Sequence, residues 1–124
     1  MIPESLNSQI CADLTKHLHL VDGNDRPYFD IYKYSTLPPG KLFRSSLLWT
    51  LIADLTGEKL NKLDTNNYPN HQLISSSIEL HHAYTLAHDD LPCMDDDETR
   101  RGKDSLHIKY NEWKALLIGD GLLN

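Results

Sequence analysis

Apolar residues return every four positions at the start of the chain. Leu6, Ile10, Leu14 and Leu18 make one stripe of a helix that Gly23-Asn24-Asp25 ends. A short helix is predicted over Tyr28 to Ser35, stopped by Pro38-Pro39-Gly40. A third helix begins near Lys41 and carries Phe43, Leu47, Leu48, Leu51, Ile52 and Leu55 on one face. Gly57 closes it, the usual residue just past a helix C-terminus. A polar connection from Asn61 to Asn67 leads to the fourth and longest helix, roughly Asn70 to Asp90, with Pro69 in its first turn. Leu73, Leu80, Tyr84, Ala87 and Leu91 fall near one of its faces; His82, Thr85 and Asp89, at i, i+3 and i+7, share another. Pro92 interrupts it, because proline lacks a backbone donor and clashes with the preceding turn. A last helix, started by Asn111, runs through Trp113, Leu116, Leu117 and Asp120. No segment alternates with period two, so no strand is predicted and the fold class is all-α.

The last pattern stops at Leu122-Leu123-Asn124 without a Gly, Pro or Lys cluster to prepare the stop, which reads as a truncation. Residues 1–124 are therefore expected to be the N-terminal portion of one all-helical domain whose C-terminal part is absent. Hydrophobic residues at 40% and charged residues at 24% are ordinary globular values and argue against disorder. No run approaches the roughly 18 apolar residues of a membrane span. The start, Met1-Ile2-Pro3-Glu4-Ser5, lacks the basic region and apolar core of a signal peptide, so a cytoplasmic location is expected. Cys11 and Cys93 stand alone, without CxxC spacing, and read as reduced thiols. An acidic chain with 8% aromatic residues and no long basic stripe is a poor nucleic-acid binder.

Charge changes the picture most. Asp89-Asp90-Leu91-Pro92-Cys93-Met94-Asp95-Asp96-Asp97-Glu98 holds six carboxylates, followed at once by Arg100-Arg101-Gly102-Lys103. With 18 acidic and 12 basic residues in all, this one segment accounts for the whole formal charge of −6. Charge runs are usually solvated loops. Here a long amphipathic helix delivers the run and a double arginine follows it. Crowded carboxylates repel one another, and a divalent cation is the usual remedy. Hard oxygen donors favour magnesium, which takes a few carboxylates and fills its other positions with water and phosphate oxygens. The spacing thus points to a magnesium–phosphate site, with a break near Pro92 turning Asp89 and Asp95 toward one ion.

Other residues are weighed against this site. Lys41 and Arg44, at i and i+3, sit at a helix start where backbone N–H groups also attract anions. Arginine's planar fork suits phosphate oxygens at Arg100 and Arg101. His81, His82, His88 and Asp89 invite a zinc reading, but histidines on a helix beside a pocket more often make hydrogen bonds. Trp113 and Tyr84 are core residues by default, Asp120 needs a partner on its apolar stripe, and Cys93 is given no role.

These residues resemble the trans-prenyltransferases, or polyprenyl diphosphate synthases, of the all-helical isoprenoid synthase fold, and among them the bacterial farnesyl diphosphate (geranyltranstransferase) type. The likeness runs from about Ile31 to the last residue. Ile31-Tyr32-Lys33-Tyr34-Ser35 through Arg44 is similar to the segment ending in the family's GGKRxRP, and His82 to Asp95 to its first aspartate-rich motif, with DDxxxxD spacing. Arg100-Arg101-Gly102-Lys103 is similar to that motif's basic tail. The resemblance implies an enzyme that joins an allylic diphosphate to isopentenyl diphosphate with Mg²⁺, commonly as a homodimer. It implies Asp89 and Asp95 as magnesium ligands, with Asp90 and Asp96 as supporting members, and Arg100 on the allylic diphosphate. Arg101, Lys41, Arg44 and His82 would form the isopentenyl diphosphate pocket. Tyr84, five positions before Asp89, would set product length, its ring favouring fifteen carbons or fewer.

Departures from the family pattern are Pro39 for its first glycine, Leu42 for a second basic residue, Ser45 for proline, and Asp104 for a common proline. The family's second aspartate-rich motif does not occur, so the 124 residues alone are expected to be inactive. Two rival readings are a non-catalytic partner of a full-length synthase and an HD-type metal-dependent phosphohydrolase built on His81, His82, His88 and Asp89. The second leaves Lys41, Arg44, Arg100 and Arg101 unexplained.

Overall fold

The computed structural model describes residues 2–20 and 28–124; the Gly23-Asn24-Asp25 stop lies outside them. Among the described residues the α-helices in chain order are α1 (Glu4–Leu18), α2 (Phe29–Thr36), α3 (Phe43–Thr56), α4 (Pro69–Asp89), α5 (Leu106–Lys109) and α6 (Glu112–Leu123). The long α4 is the axis: α1, α2, α3 and α6 all pack against it. Among these residues no helix is long and apolar enough to cross a membrane.

Several ends lie where the sequence puts them. Leu6, Ile10, Leu14 and Leu18 are buried on α1. Pro69 opens α4, where its missing N–H costs no helical bond. Gly57 ends α3 in the left-handed region at φ 73°. The Asn111 side chain accepts from the Lys114 amide at 3.0 Å and caps α6.

Two faces are corrected. On α3 the predicted stripe largely points to solvent, with Phe43 72% and Leu55 87% exposed. The buried face is Ser45, Trp49, Ile52 and Ala53, so of the predicted stripe only Ile52 is buried. Apolar residues occur on both sides of this helix, so hydrophobicity alone does not choose between them. Trp49 does: its indole is fully buried and donates from Nε1 to Ser75 Oγ at 3.1 Å. On α4, Leu73 is half exposed, and Gln72, Ser75, Ser76 and Glu79 are buried instead. Partners on α1 and α3 satisfy this polar half. Gln72 Nε2 donates to Asp13 Oδ1 at 3.0 Å, and His17 Nδ1 meets Ser76 Oγ at 2.8 Å.

Asp13 and His17 make stability depend on pH. Burial is the main cause of both shifts, pushing the Asp13 carboxyl up and His17 down. Asp13 Oδ2 is buried without a hydrogen-bond partner. A raised carboxyl stabilises the fold fully only below its unfolded value of about 3.9, and that contribution is lost as pH rises through the folded value. A lowered histidine contributes above about 6.5 and loses its share as pH falls through its folded value. Asp13→Asn, which removes the buried charge, should therefore be more stable than the parent at pH 7 by about 1 kcal/mol. The gain should shrink on acidification through the folded Asp13 titration. Urea unfolding from pH 4 to 8 checks this, and a gain independent of pH would refute it.

A short hairpin appears where no strand was expected. β1 (Thr99–Arg100) and β2 (Lys103–Asp104) pair antiparallel, Thr99 with Asp104 and Arg100 with Lys103. Arg101 and Gly102 both have positive φ, at 54° and 76°, as a two-residue primed turn requires. Strands of two residues are too short to show alternation, so only Gly102 marked the turn beforehand.

Candidate functional site

The acidic run begins where α4 ends. Asp90 caps the helix, and the chain folds back at once. The Asp95 amide donates to the Asp89 carbonyl at 2.8 Å, and the Asp96 amide donates to Leu91 O at 3.1 Å with Asp96 at φ 53°. A backbone hydrogen bond thus ties Asp95 to Asp89 across the break at Pro92. Asp89 is half-buried, whereas Asp95, Asp96 and Asp97 are exposed.

Asp90 faces another way. Its carboxylate is buried, accepts from Arg100 Nε at 3.1 Å on Oδ2, and takes Arg100 Nη2 on Oδ1. The same Nη2 donates to Asp97 Oδ2 at 3.2 Å. The hydrogen bonding to Asp90 is the largest influence on the Arg100 guanidinium and raises its pKa; burial opposes, and the charges of Asp90, Asp97 and Asp89 add. Both oxygens expected to support a metal are thus occupied by a guanidinium, and Asp90 holds Arg100 in one orientation.

The rest of the basic tail docks on the end of α2. Arg101 Nη1 donates to Pro38 O at 3.0 Å, and a Cβ at Gly40 would come within 3.5 Å of its Nε. Lys103 Nζ donates to Tyr34 O at 2.8 Å and Leu37 O at 3.0 Å, and lies 4.1 Å from the Tyr34 ring centre. Carbonyls at a helix C-terminus lack intrahelical partners and carry the negative end of the dipole, so cations satisfy them. Tyr34 and Lys103 were missed as fasteners of the hairpin; their pairing spans 69 residues, and nothing local marks it.

His82, half-buried on α4, senses where these cations lie. Burial is the first cause that lowers its pKa, the charge of Arg44 the second; Glu79 opposes, and Arg101 and Arg100 lower it further. The charges of arginines on α3 and on the hairpin thus add to burial in disfavouring a charged imidazole. Lys41 and Arg44 stand exposed at the start of α3. One amide of this helix end is already taken, because the Ser45 N–H donates to Glu79 Oε1 at 3.1 Å. Tyr84 packs edge-on between His81 and His88, at 5.2 and 5.0 Å. Trp113 and Asp120, expected in the core and on an apolar stripe, are exposed instead, and Asp120 lies 3.6 Å from His88.

Among the described residues no three His, Cys, Asp or Glu side chains converge to hold an ion. Magnesium asks for less, since one or two carboxylates suffice when phosphate and water complete its shell. Asp89 and Asp95 carry hard oxygen donors of the kind that ion takes, on chain segments that a backbone hydrogen bond ties together.

The chain is similar to known proteins in the region these features span. The family model described as polyprenyl synthetase matches residues 26–124. A farnesyl diphosphate synthase of Buchnera aphidicola (from Schizaphis graminum) is 47% identical over 98 residues, covering 79% of this chain and 30% of that protein. The Escherichia coli farnesyl diphosphate synthase is 38% identical over 119 residues, covering 96% and 37%. Among solved structures, an FPP/GFPP synthase of Zymomonas mobilis superposes with a TM-score of 0.75 at 27% identity, over 97% of this chain and 41% of that one. A geranyltranstransferase of Thermotoga maritima does so at 0.72 and 32%, over 90% and 40%. The chain spans about a third of the length of the curated relatives it matches.

Proposed function

The chain belongs to the polyprenyl synthetase family, and from that premise we propose that it carries one wall of the active site of a short-chain trans-prenyl diphosphate synthase. The reaction is the head-to-tail condensation of an allylic diphosphate, dimethylallyl or geranyl, with isopentenyl diphosphate. The observation that carries this reading is the backbone-tethered Asp89–Asp95 turn with Arg100 fixed beside it on the buried Asp90 carboxylate.

In this reading Asp89 and Asp95 hold Mg²⁺, with Asp96 in support, and the ion when bound withdraws charge from the allylic diphosphate. Arg100, oriented by Asp90, presents its remaining donors to the same group. Fixed cations that stabilise charge on a leaving group lower the barrier without reorganising during the reaction. The allylic C–O bond breaks, its electron pair leaving with diphosphate. The alkene of isopentenyl diphosphate attacks the cation, and loss of a proton restores a double bond. Arg101, Lys41, Arg44 and neutral His82 hold the isopentenyl diphosphate, and Tyr84 limits the length of the growing chain.

A groove of ≈ 890 Å³ lies between the ends of α1 and α6 and the first half of α4, lined by Leu73, Ile74 and Leu80 together with His17, Arg44 and His81. One wall alone should bind diphosphate without turning it over. The test is to incubate the 124-residue protein with Mg²⁺, dimethylallyl diphosphate and isopentenyl diphosphate, and in parallel to titrate inorganic pyrophosphate by calorimetry. We expect no prenyl product, and Mg²⁺-dependent pyrophosphate binding that Asp89→Asn weakens. Product formation would refute the single-wall reading. Failure to bind pyrophosphate with or without Mg²⁺ would refute the site.

A further inference from the structure

Glu79 has no place in the sequence reading, yet it stands behind the candidate pocket. It is 7% exposed, on the buried polar face of α4, one turn before His82. Its Oε1 accepts from the Ser45 backbone amide at 3.1 Å and from the Ser45 hydroxyl at 2.9 Å. Ser45 is the third residue of α3, the position whose N–H an N-cap side chain normally satisfies. Here the N-cap is Leu42, which makes no side-chain cap bond and instead buries its isobutyl group at φ 49°. The missing cap is supplied from another helix, 34 residues away.

That carboxylate also faces the cations. Its charge opposes the lowering of His82 and of Arg101, so it lies within electrostatic reach of both. The groups acting on His82 from the surrounding elements are Arg44 on α3, Glu79 on α4, and Arg100 and Arg101 on the hairpin. We infer that Glu79 is a positioning residue: a carboxylate lent by α4 that caps α3 and thereby fixes the Lys41–Arg44 turn against His82. It touches no substrate in this role. It sets where two of the pocket's cations stand, and its negative charge keeps the dipole of α3 occupied, leaving an anion to be met by side chains.

The inference rests on the pocket assigned above, and its test separates the two. Glu79→Gln keeps an acceptor for Ser45 and removes the charge; Glu79→Ala removes both. Inorganic pyrophosphate with Mg²⁺ is the probe, and His82 is followed by NMR from pH 5 to 8 without ligand. Glu79→Ala should weaken pyrophosphate binding about fivefold, because losing a cap of roughly 1 kcal/mol lowers the population of the competent turn. Glu79→Gln should restore most of that affinity. Both variants should titrate His82 at lower pH than the parent, since Glu79 is the group that raises it. Circular dichroism identifies an unfolded variant, in which case Ser45→Ala, which removes only the hydroxyl bond, serves as the milder second variant and should weaken binding less than twofold. Equal pyrophosphate affinity in the parent and a folded Glu79→Ala, or an unmoved His82 titration, overturns the inference. Absence of binding in the parent overturns the pocket instead.

Discussion

Replacing Arg100 with alanine should destabilise the protein by about 2–3 kcal/mol, the cost of leaving the buried Asp90 carboxylate without its cation, discounted for the solvent that reaches the arginine. The side chains are 35% and 4% exposed respectively, so the two ends of the pair are unequal. Without Asp90, Arg100 keeps Asp97 at 3.2 Å and can turn to water. Without Arg100, Asp90 has no such escape. Asp90→Ala alone should therefore cost less than Arg100→Ala, and Asp90→Asn in the Arg100→Ala background should recover most of the loss. Urea unfolding of the parent, Asp90→Asn, Arg100→Ala and the double gives the cycle. Equal single effects that simply add would show that the carboxylate is not desolvated, and the account of Arg100 as a guanidinium held from below would fall with it.

Gly121→Ala and Gly119→Ala should each cost about 2 kcal/mol, although alanine gains roughly 1 kcal/mol over glycine inside a helix. A Cβ at Gly121 would lie 2.0 Å from the Tyr32 hydroxyl oxygen and 2.9 Å from Cζ, and Tyr32 is buried in the main core. A Cβ at Gly119 would lie 2.2 Å from His88 Nε2. That ring is fixed: Nε2 meets Leu116 O at 3.0 Å, and its edge packs on Tyr84. Moving it disturbs the turn of α4 that ends at Asp89. The compensating variants decide the matter. Tyr32→Phe should relieve part of the Gly121→Ala loss, and His88→Ala most of the Gly119→Ala loss, both read as shifts in thermal midpoint. Alanine variants more stable than the parent would mean that α6 does not pack on α4 this closely.

The helices were legible because each carries a local instruction. The four-residue stripe of α1, Pro69, Gly57 and the Asn111 cap act within one or two turns of chain, and the structure follows them. The break after Asp90 was legible for the same reason. The face of α3 was not, because Phe43, Leu47 and Leu55 on one side compete with Trp49 on the other, with Ile52 between them. The deciding terms are the burial of an indole and the hydrogen bonds from Trp49 and Ser45 to α4. The buried polar half of α4 was not legible either, since Gln72 and Glu79 find their partners only when Asp13 and Ser45 are placed beside them.

The candidate site divides along the same line. Sequence alone determined its inventory: six carboxylates after a proline-broken helix, two arginines after them, and a lysine and an arginine one turn apart at the start of α3. Those facts belong to composition and spacing, and no folding is needed to read them. Only the tertiary structure decided the assignments within that inventory: Asp90 to Arg100, Lys103 to the end of α2, and Glu79 to the start of α3. The reason is that a charge in a sequence carries a sign and no partner. Partners are fixed by which groups lose water together, and that is settled only when distant segments close on one another.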